Sequence, residues 1–308
     1  MNRRRVDRCF GGITGMVALA LAALGIGLML LLGAVAVPHL PEIIGQPAAG
    51  GGGDPAMLQR DRLLPLLLGT AARTVLMSLV LVPAGVLTAV YLTEYAQPEA
   101  WAPRVLRAGI HALAAVPGVV FGMVGLGFLV GVVGGALDRF AGDPQVGVWG
   151  RPALVWASVT LAWMSLPVVV ETSEEALRSV PRTLRSAAVA LGATRWQVLL
   201  RVLLPNALPG MAAGVLRALG KAAGEVAPLL FTGAVIAPSA VTALNSPFPD
   251  LAFEVFMRSM AASEAGVGRP FLRVALWVLV FGALMLNAAA ALLRRSPVSK
   301  GQGAPMTW

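Results

Sequence analysis

Apolar runs too long and too free of charge for a water-soluble core dominate this chain. A helix needs about 20 predominantly apolar residues to cross a bilayer. Five uncharged runs reach that length: Ile13 to Val37, Thr74 to Thr93, Ala108 to Leu137, Pro152 to Val170 and Val274 to Leu293. A sixth, Leu208 to Ile236, is as long but carries Arg217, Lys221 and Glu225. The first run exceeds a signal-peptide core and is followed by no small-residue cleavage site before His39, so it reads as a retained helix. Charged residues make up 13% of the 308, against roughly 25% in a soluble domain, too few to coat a globule of this size. A hydrophobic content of 57% excludes a disordered chain. The expected fold is all-α: a polytopic membrane protein with six transmembrane helices.

The formal charge is +9, and only two of the 24 basic residues are lysine. With six spans both termini lie on one side, and the basic residues of the loops then divide fourteen to seven in favour of the side that holds the termini. That excess predicts cytoplasmic N- and C-termini, with the bases anchoring the segments at the lipid surface. Nucleic acid is not an expected partner, because the arginines are scattered among apolar runs and form no basic face interleaved with aromatics. Cys9 is the single cysteine, which rules out an internal disulfide, and neither it nor His39 or His111 has partners spaced as metal ligands.

The first outer loop contains Gly50 to Gly53 and reads as a flexible connector. In the third, Ala252, Phe253, Phe256, Met257 and Met260 share one helical face, as in a short helix on the outer surface. Small residues four apart at Gly118/Gly122, Gly127/Gly131/Gly135, Gly210/Gly214 and Gly220/Gly224 allow close helix approach. The stretch GVLRALGKA, Gly214 to Ala222, has one residue too many between its glycines for a phosphate-cradling loop and lacks the hydroxyl that would hold magnesium. No reactive constellation of an enzyme is present.

The segment Glu171 to Pro205 is the longest expected cytoplasmic loop. Thr172 and Glu175 have capping-box spacing, and Leu177, Val180, Leu184, Ala187, Ala188 and Leu191 then form an apolar stripe opposite Arg178, Arg182 and Arg185. Gly192 stops that helix. A shorter stripe of Trp196, Leu199 and Leu203 follows and is expected to end at Pro205. Such a helix-turn-helix either lies on the membrane surface or docks into a groove of a partner protein.

Ser186-Ala187-Ala188, Gly192 after three residues, nine more residues, and Val202-Leu203-Leu204-Pro205 resemble the EAA motif of ABC-transporter permeases, EAA-x3-G-x9-I-x-L-P. Ser186 stands where that motif has glutamate, and Val202 where it has isoleucine. The stretches AVYLTEYA (Ala89 to Ala96), AAVPGVVFGMVGL (Ala114 to Leu126), LPVVVETSEEALRSVP (Leu166 to Pro181) and GEVAPLLFTG (Gly224 to Gly233) are similar to the PstA family of phosphate permease subunits. The resemblance implies a type I ABC importer permease (MetI-like) fold in the bacterial inner membrane. It also implies one half of a heterodimeric anion pathway, paired with a PstC-type permease, two PstB-type ATP-binding subunits and a periplasmic phosphate-binding protein. This chain would then be no enzyme and bind no cofactor, ATP being used by its partners. Residues Glu174, Glu175, Arg182, Arg185, Ser186, Ala187, Ala188, Gly192, Ala193, Leu204 and Pro205 would form the ATPase-coupling loop, within residues 171–205. Residues 1–62 would hold the first span and outer loop, 63–296 the permease domain, and 297–308 a cytoplasmic tail.

Arg217, Lys221 and Glu225 are spaced i, i+4, i+8, which on one helix lines a face about 12 Å long. Each charge costs on the order of 2.5–3.5 kcal/mol near the bilayer centre, so these residues should face protein or water. Two readings remain: an internal Lys221–Glu225 salt bridge, or an anion path in which two cations attract phosphate and Glu225 keeps it from binding too tightly. In the PstA pattern the Lys221 position is usually arginine, and a basic residue is common at Glu171. The alternatives to a phosphate permease are a permease for another oxyanion, sulfate or molybdate, and a channel or scaffold without an ATPase.

Overall fold

The computed structural model describes residues 55–97, 99–140, 147–236, 243–265 and 269–294. The expected span Ile13 to Val37, the Gly50 to Gly53 connector and the 297–308 tail lie outside them. Five helices among the described residues are long and apolar enough to cross a membrane: Leu63–Tyr95, Gly118–Phe140, Leu154–Ser179, Arg195–Ala223 and Phe271–Leu293. All five correspond to expected spans, but with shifted ends.

Helix α1 (Pro55–Val90) continues into a π-helical turn, Tyr91–Tyr95. The expected third span is interrupted: α2 (Trp101–Ala115) ends at Val116, which is extended at φ −75° and ψ 128°. The cause is Pro117, whose ring disfavours helical geometry in the residue before it. The chain resumes as α3 (Gly118–Val124), a π-helical stretch Gly125–Gly134 and α4 (Gly135–Phe140). Both halves lie along the same neighbour, α5 (Leu154–Ser179), and run antiparallel to it. Arg107 faces Glu174 at 3.4 Å, His111 faces Glu171 at 3.4 Å, and Gly118 abuts Met164.

Helix α5 is the centre of the bundle, with Ala157, Leu161, Val169 and Leu177 fully buried. It runs unbroken through Thr172, correcting the expected capping box there: Thr172 Oγ1 donates to the Val168 carbonyl, inside the helix. The helix stops at Ser179, two residues before Pro181, with Val180 extended. The connection between the spans is therefore shorter than the expected Glu171 to Pro205. It consists of α6 (Arg182–Ala190) and the turn before α7 (Arg195–Val198).

Pro205 does not end the second stripe. A π-helical turn, Leu199–Leu203, joins α7 to α8 (Leu204–Ala223) in one long helix. Widening the helix just before the proline relieves the clash its ring would make with the preceding turn. The Asn206 amide donates to the Val202 carbonyl at 2.6 Å, adding a partner where the regular ladder is disturbed.

Helices α1, α5 and α8 form the main core, joined by Leu81, Leu161, Leu199, Leu203, Val215 and Leu219. The Gly210/Gly214 pair sits at the closest approach of α8 to α5. A Cβ at Gly214 would fall 1.9 Å from Thr172 Oγ1, and one at Gly210 2.8 Å from the Ala176 Cβ. Gly214→Val should therefore force the two helices apart and cost about 1–3 kcal/mol or more. A clearly lower melting temperature of the detergent-purified protein is the expected result.

After α8 the chain forms α9 (Leu229–Thr232), strand β1 (Ala234–Val235), strand β2 (Phe248–Pro249) and helix α10 (Leu251–Ala265). The two strands pair in parallel. Carbonyls of Thr232, Ser246 and Leu244 accept the N–H groups of Ala153, Leu154 and Val155, so this segment caps the otherwise unsatisfied start of α5. At the same end, both carboxylate oxygens of Asp138 accept backbone N–H groups, from Val148, Trp149 and Gly150. Helix α10 is the expected surface helix: Ala252 and Phe253 are buried, while Phe256 and Met260 remain exposed. Helix α11 (Arg269–Arg294) packs on α8 and leaves Trp277, Leu284 and Leu292 exposed, an apolar face suited to lipid.

Candidate functional site

From Met211 to Ala223 every residue of α8 is buried except Arg217 and Lys221. Thr172 of α5 closes on α8 at Gly214, Leu286 and Asn287 of α11 at Gly220, and α1 at Ala222. Only the stripe bearing the two cations is left uncovered. The glycines that superficially suggested a phosphate loop are thus accounted for by helix contacts.

Glu225 lies beyond the helix that carries this stripe. Helix α8 ends at Ala223, with Gly224 as its cap, so the expected line of three charges shortens to two, about 6 Å apart along the axis. Among the described residues, neither Arg217 nor Lys221 forms an ion pair, and the Lys221–Glu225 bridge is not made. Lys221 lies two turns beyond Gly214, which faces Thr172, and that places it near the level of Ser165, about halfway along α5. The segment after α8 agrees: Ala227 and Pro228 abut Gly118, which also abuts Met164. The end of α8 and the break at Val116–Pro117 therefore meet at one depth. His111 and Glu171 face each other with their side chains 70% and 52% exposed.

The end of α8 is held by a residue that the hydropathy pattern leaves at the edge of a span. Arg73 is 1% exposed; its Nη1 donates to the Ala222 carbonyl at 3.2 Å and its Nη2 to the Ala223 carbonyl at 3.5 Å. Its Nε lies 3.1 Å from Oδ2 of Asp250, itself fully buried. Thr70 Oγ1 shares its one proton between the same oxygen at 3.1 Å and the Leu66 carbonyl at 2.9 Å, while Asp250 Oδ1 accepts the N–H groups of Ala252 and Phe253 and so caps α10. A cation on the last carbonyls of one helix and an anion at the start of another both match the helix dipoles.

At the opposite end α6 has no buried residue. Leu184 is 44%, Val189 59% and Leu191 90% exposed. Its end is a Schellman motif: the Ala193 N–H bonds to the Ala188 carbonyl, and the Gly192 N–H to that of Val189. Gly192 adopts φ +80°, a conformation disfavoured by any Cβ. This explains physically the spacing of Ala188, Gly192 and Ala193. Thr194 and Gln197 then form a capping box that starts α7.

Several of the expected coupling residues bind their own chain. Arg185 donates to Glu94 at 2.6 Å and to the Leu177 carbonyl at 2.8 Å. Glu174 pairs with Arg178 and Arg107, and Arg107 also donates to the Leu92 carbonyl. Trp196 packs on Tyr95 with ring centroids 5.9 Å apart. The π-helical end of α1 thus supports the protruding hairpin, through Glu94 and Tyr95, which the AVYLTEYA stretch contains but whose contacts with the hairpin no spacing announces. Arg182, Ser186 and Ala187 are exposed, Ala188 and Ala193 half-buried, Leu204 half-buried and Pro205 exposed.

Residues 81–296 match the family described as binding-protein-dependent transport system inner membrane component. The chain belongs to this family. It is 32% identical over 243 residues to the "Probable ABC transporter permease protein YqgI" of Bacillus subtilis (77% of this chain, 74% of that protein). It is also 30% identical over 230 residues to the "Phosphate transport system permease protein PstA 1" of Mycobacterium tuberculosis (74% and 69%). Its fold is similar to a chain of the MetNI methionine ABC transporter in an inward-facing conformation, with a TM-score of 0.51, 20% identity, and coverage of 79% of this chain and 98% of that one. As a permease of this family the chain is a multi-pass, non-catalytic membrane subunit. It works with a substrate-binding protein and ATP-binding subunits. Both the α6 hairpin and the cation-bearing α8 lie inside the matched region.

Proposed function

We propose that this chain is a PstA-type permease subunit of an ATP-driven phosphate importer. The observation that carries the reading is the Arg217–Lys221 pair: two cations without a carboxylate partner among the described residues, on the open stripe of the otherwise buried Met211–Ala223 stretch of α8, halfway through the bundle. Relatives named as phosphate transport permeases support the choice of anion. Phosphate crossing the membrane must shed water, and two fixed cations replace part of that solvation. Glu225, half-buried just past the helix end, limits how tightly the anion is held. The open stripe faces a PstC-type partner subunit, which completes the path.

Helix α6 docks into a groove on a PstB-type ATP-binding subunit through Leu184, Ala187 and Leu191. Closure of two such subunits moves the hairpin, and the contacts of Arg185 with Glu94 and of Trp196 with Tyr95 pass that movement to α1. Both termini and α6 face the cytoplasm, and α10 faces the periplasm, where a phosphate-binding protein delivers its cargo. Proline at 192 is incompatible with φ +80° and removes the N–H that bonds to Val189. Gly192→Pro is expected to lower transport-coupled ATP hydrolysis at least tenfold in the assembled complex; an unchanged rate would count against docking there.

The reading as a whole is tested by purifying the chain with its associated subunits and measuring ATP hydrolysis in proteoliposomes. Phosphate-loaded binding protein is expected to stimulate hydrolysis and sulfate is not. Stimulation by sulfate or molybdate would reassign the anion, and a chain purified without any ATP-binding subunit would point to a channel or scaffold.

A further inference from the structure

Arg73 is an intramembrane charge that a simple pore-lining role does not explain, because it is 1% exposed and aimed at backbone rather than at open space. Its two terminal nitrogens hold the carbonyls of Ala222 and Ala223, the residues directly after Lys221. These carbonyls belong to the last turn of α8, which the chain leaves at Gly224; the Ala222 carbonyl also accepts the Glu225 N–H at 3.2 Å, whereas the Ala223 carbonyl faces Arg73 beyond the last helical bond. Without Arg73 the turn keeps its bonds to the Gly224 and Glu225 N–H groups but loses its anchor to α1 and α10, and with it the fixed position of the backbone that carries Lys221. Arg73 is fixed in turn. Its Nε faces Asp250, which is held by Thr70 Oγ1 at 3.1 Å and by two N–H groups of α10. Thr70 also accepts the Leu251 N–H at 3.0 Å. The chain of contacts therefore runs from α10 through Asp250 and Arg73 to the turn that carries Lys221.

We propose that the buried Thr70–Asp250–Arg73 network is a positioning device for the anion path: it sets where Lys221 points and thereby how much phosphate moves per ATP. Arg73 does not touch the anion. The inference rests on the reading of Lys221 as a pathway residue, and the test separates the two. An arginine suits the task because its planar fork spans two adjacent carbonyls while a third nitrogen meets the carboxylate.

The complete transporter is reconstituted in proteoliposomes with phosphate as the probe, and phosphate moved and ATP hydrolysed are measured together. The variants are Lys221→Ala, the neutral exchange Arg73→Gln/Asp250→Asn, and Thr70→Val. The neutral exchange leaves no uncompensated buried charge, and Thr70→Val is close to isosteric. Lys221→Ala is expected to lose phosphate transport while ATP hydrolysis persists. The neutral exchange is expected to lower phosphate per ATP at least tenfold, and Thr70→Val about threefold, with ATP hydrolysis per assembled complex within about twofold of wild type. A purely structural role would reduce both quantities in parallel with the amount of assembled protein. If Lys221→Ala transports normally, the pathway reading falls and this inference falls with it. If Lys221→Ala is inactive while the exchange and Thr70→Val keep the wild-type ratio, the positioning role is overturned and the pathway stands. Should the neutral exchange fail to assemble, Thr70→Val decides.

Discussion

Lys221→Ala should abolish phosphate uptake without lowering the amount of protein in the membrane. The side chain is exposed and contributes no ion pair within the described chain, so its removal should change stability by no more than about 0.5 kcal/mol. Its electrostatic contribution to an anion is much larger. At about 5 Å and an effective dielectric near 20, one unit charge contributes roughly 3 kcal/mol per negative charge on the ligand. That is more than a hundredfold in occupancy. Lys221→Arg should retain uptake, because the guanidinium keeps the charge and adds a fork matched to phosphate oxygens. Arg217→Ala, one turn nearer the α6 end, tests whether the path uses both cations. Radiolabelled phosphate uptake normalised to immunodetected protein is the measurement. Uptake at the wild-type rate by a well-expressed Lys221→Ala variant would remove the basis for the anion path.

Arg73→Met should be the most destabilising single substitution in the described chain. It leaves Asp250 as a buried carboxylate without its cation and removes the side-chain donor from the Ala222 and Ala223 carbonyls, of which Ala222 keeps the Glu225 N–H. Breaking a buried pair from one side costs on the order of 3–5 kcal/mol, a large share of a typical folding free energy of 5–15 kcal/mol. Thr70 and the α10 N–H groups continue to solvate the carboxylate, which argues for the lower half of that range. The expected result is a protein that accumulates poorly and melts well below wild type in detergent, with partial recovery when Asp250→Asn is added. Equal melting temperatures for Arg73→Met and wild type would show that the pair does not hold the end of α8 to the start of α10.

The five described spans were legible in the sequence because long apolar runs nearly free of charge admit few other structures, but their ends were not. Pro117 and Pro205 show why. At Pro117 the preceding residue simply turns extended and the helix breaks. At Pro205 a π-helical turn takes up the misfit and the helix continues. A proline in isolation announces strain but not how the neighbouring turns relieve it. Thr172 carried the right spacing for a cap, yet in a helix that began eighteen residues earlier its hydroxyl bonds backwards instead.

The hairpin at Gly192 was legible because its determinants are local: Ala188, Gly192 and Ala193 form one hydrogen-bonded motif within six residues. The supports of the site were not. Arg73 meets Asp250 across 177 positions, and Arg185 meets Glu94 across 91. No periodicity links such pairs, and only the packing of α1 against α5 and α8 brings them together. The helical register of Glu225 was not legible for the opposite reason: an i+8 spacing lines one face only while the helix continues, and it ends two residues before Glu225.

The most direct measurement of the central claim is radiolabelled phosphate uptake under phosphate limitation, in cells with and without this chain and without a duplicate phosphate system, with excess sulfate as competitor. The account predicts that uptake depends on the chain and is not reduced by sulfate. Phosphate uptake unchanged by loss of the chain, or abolished by sulfate, would contradict it.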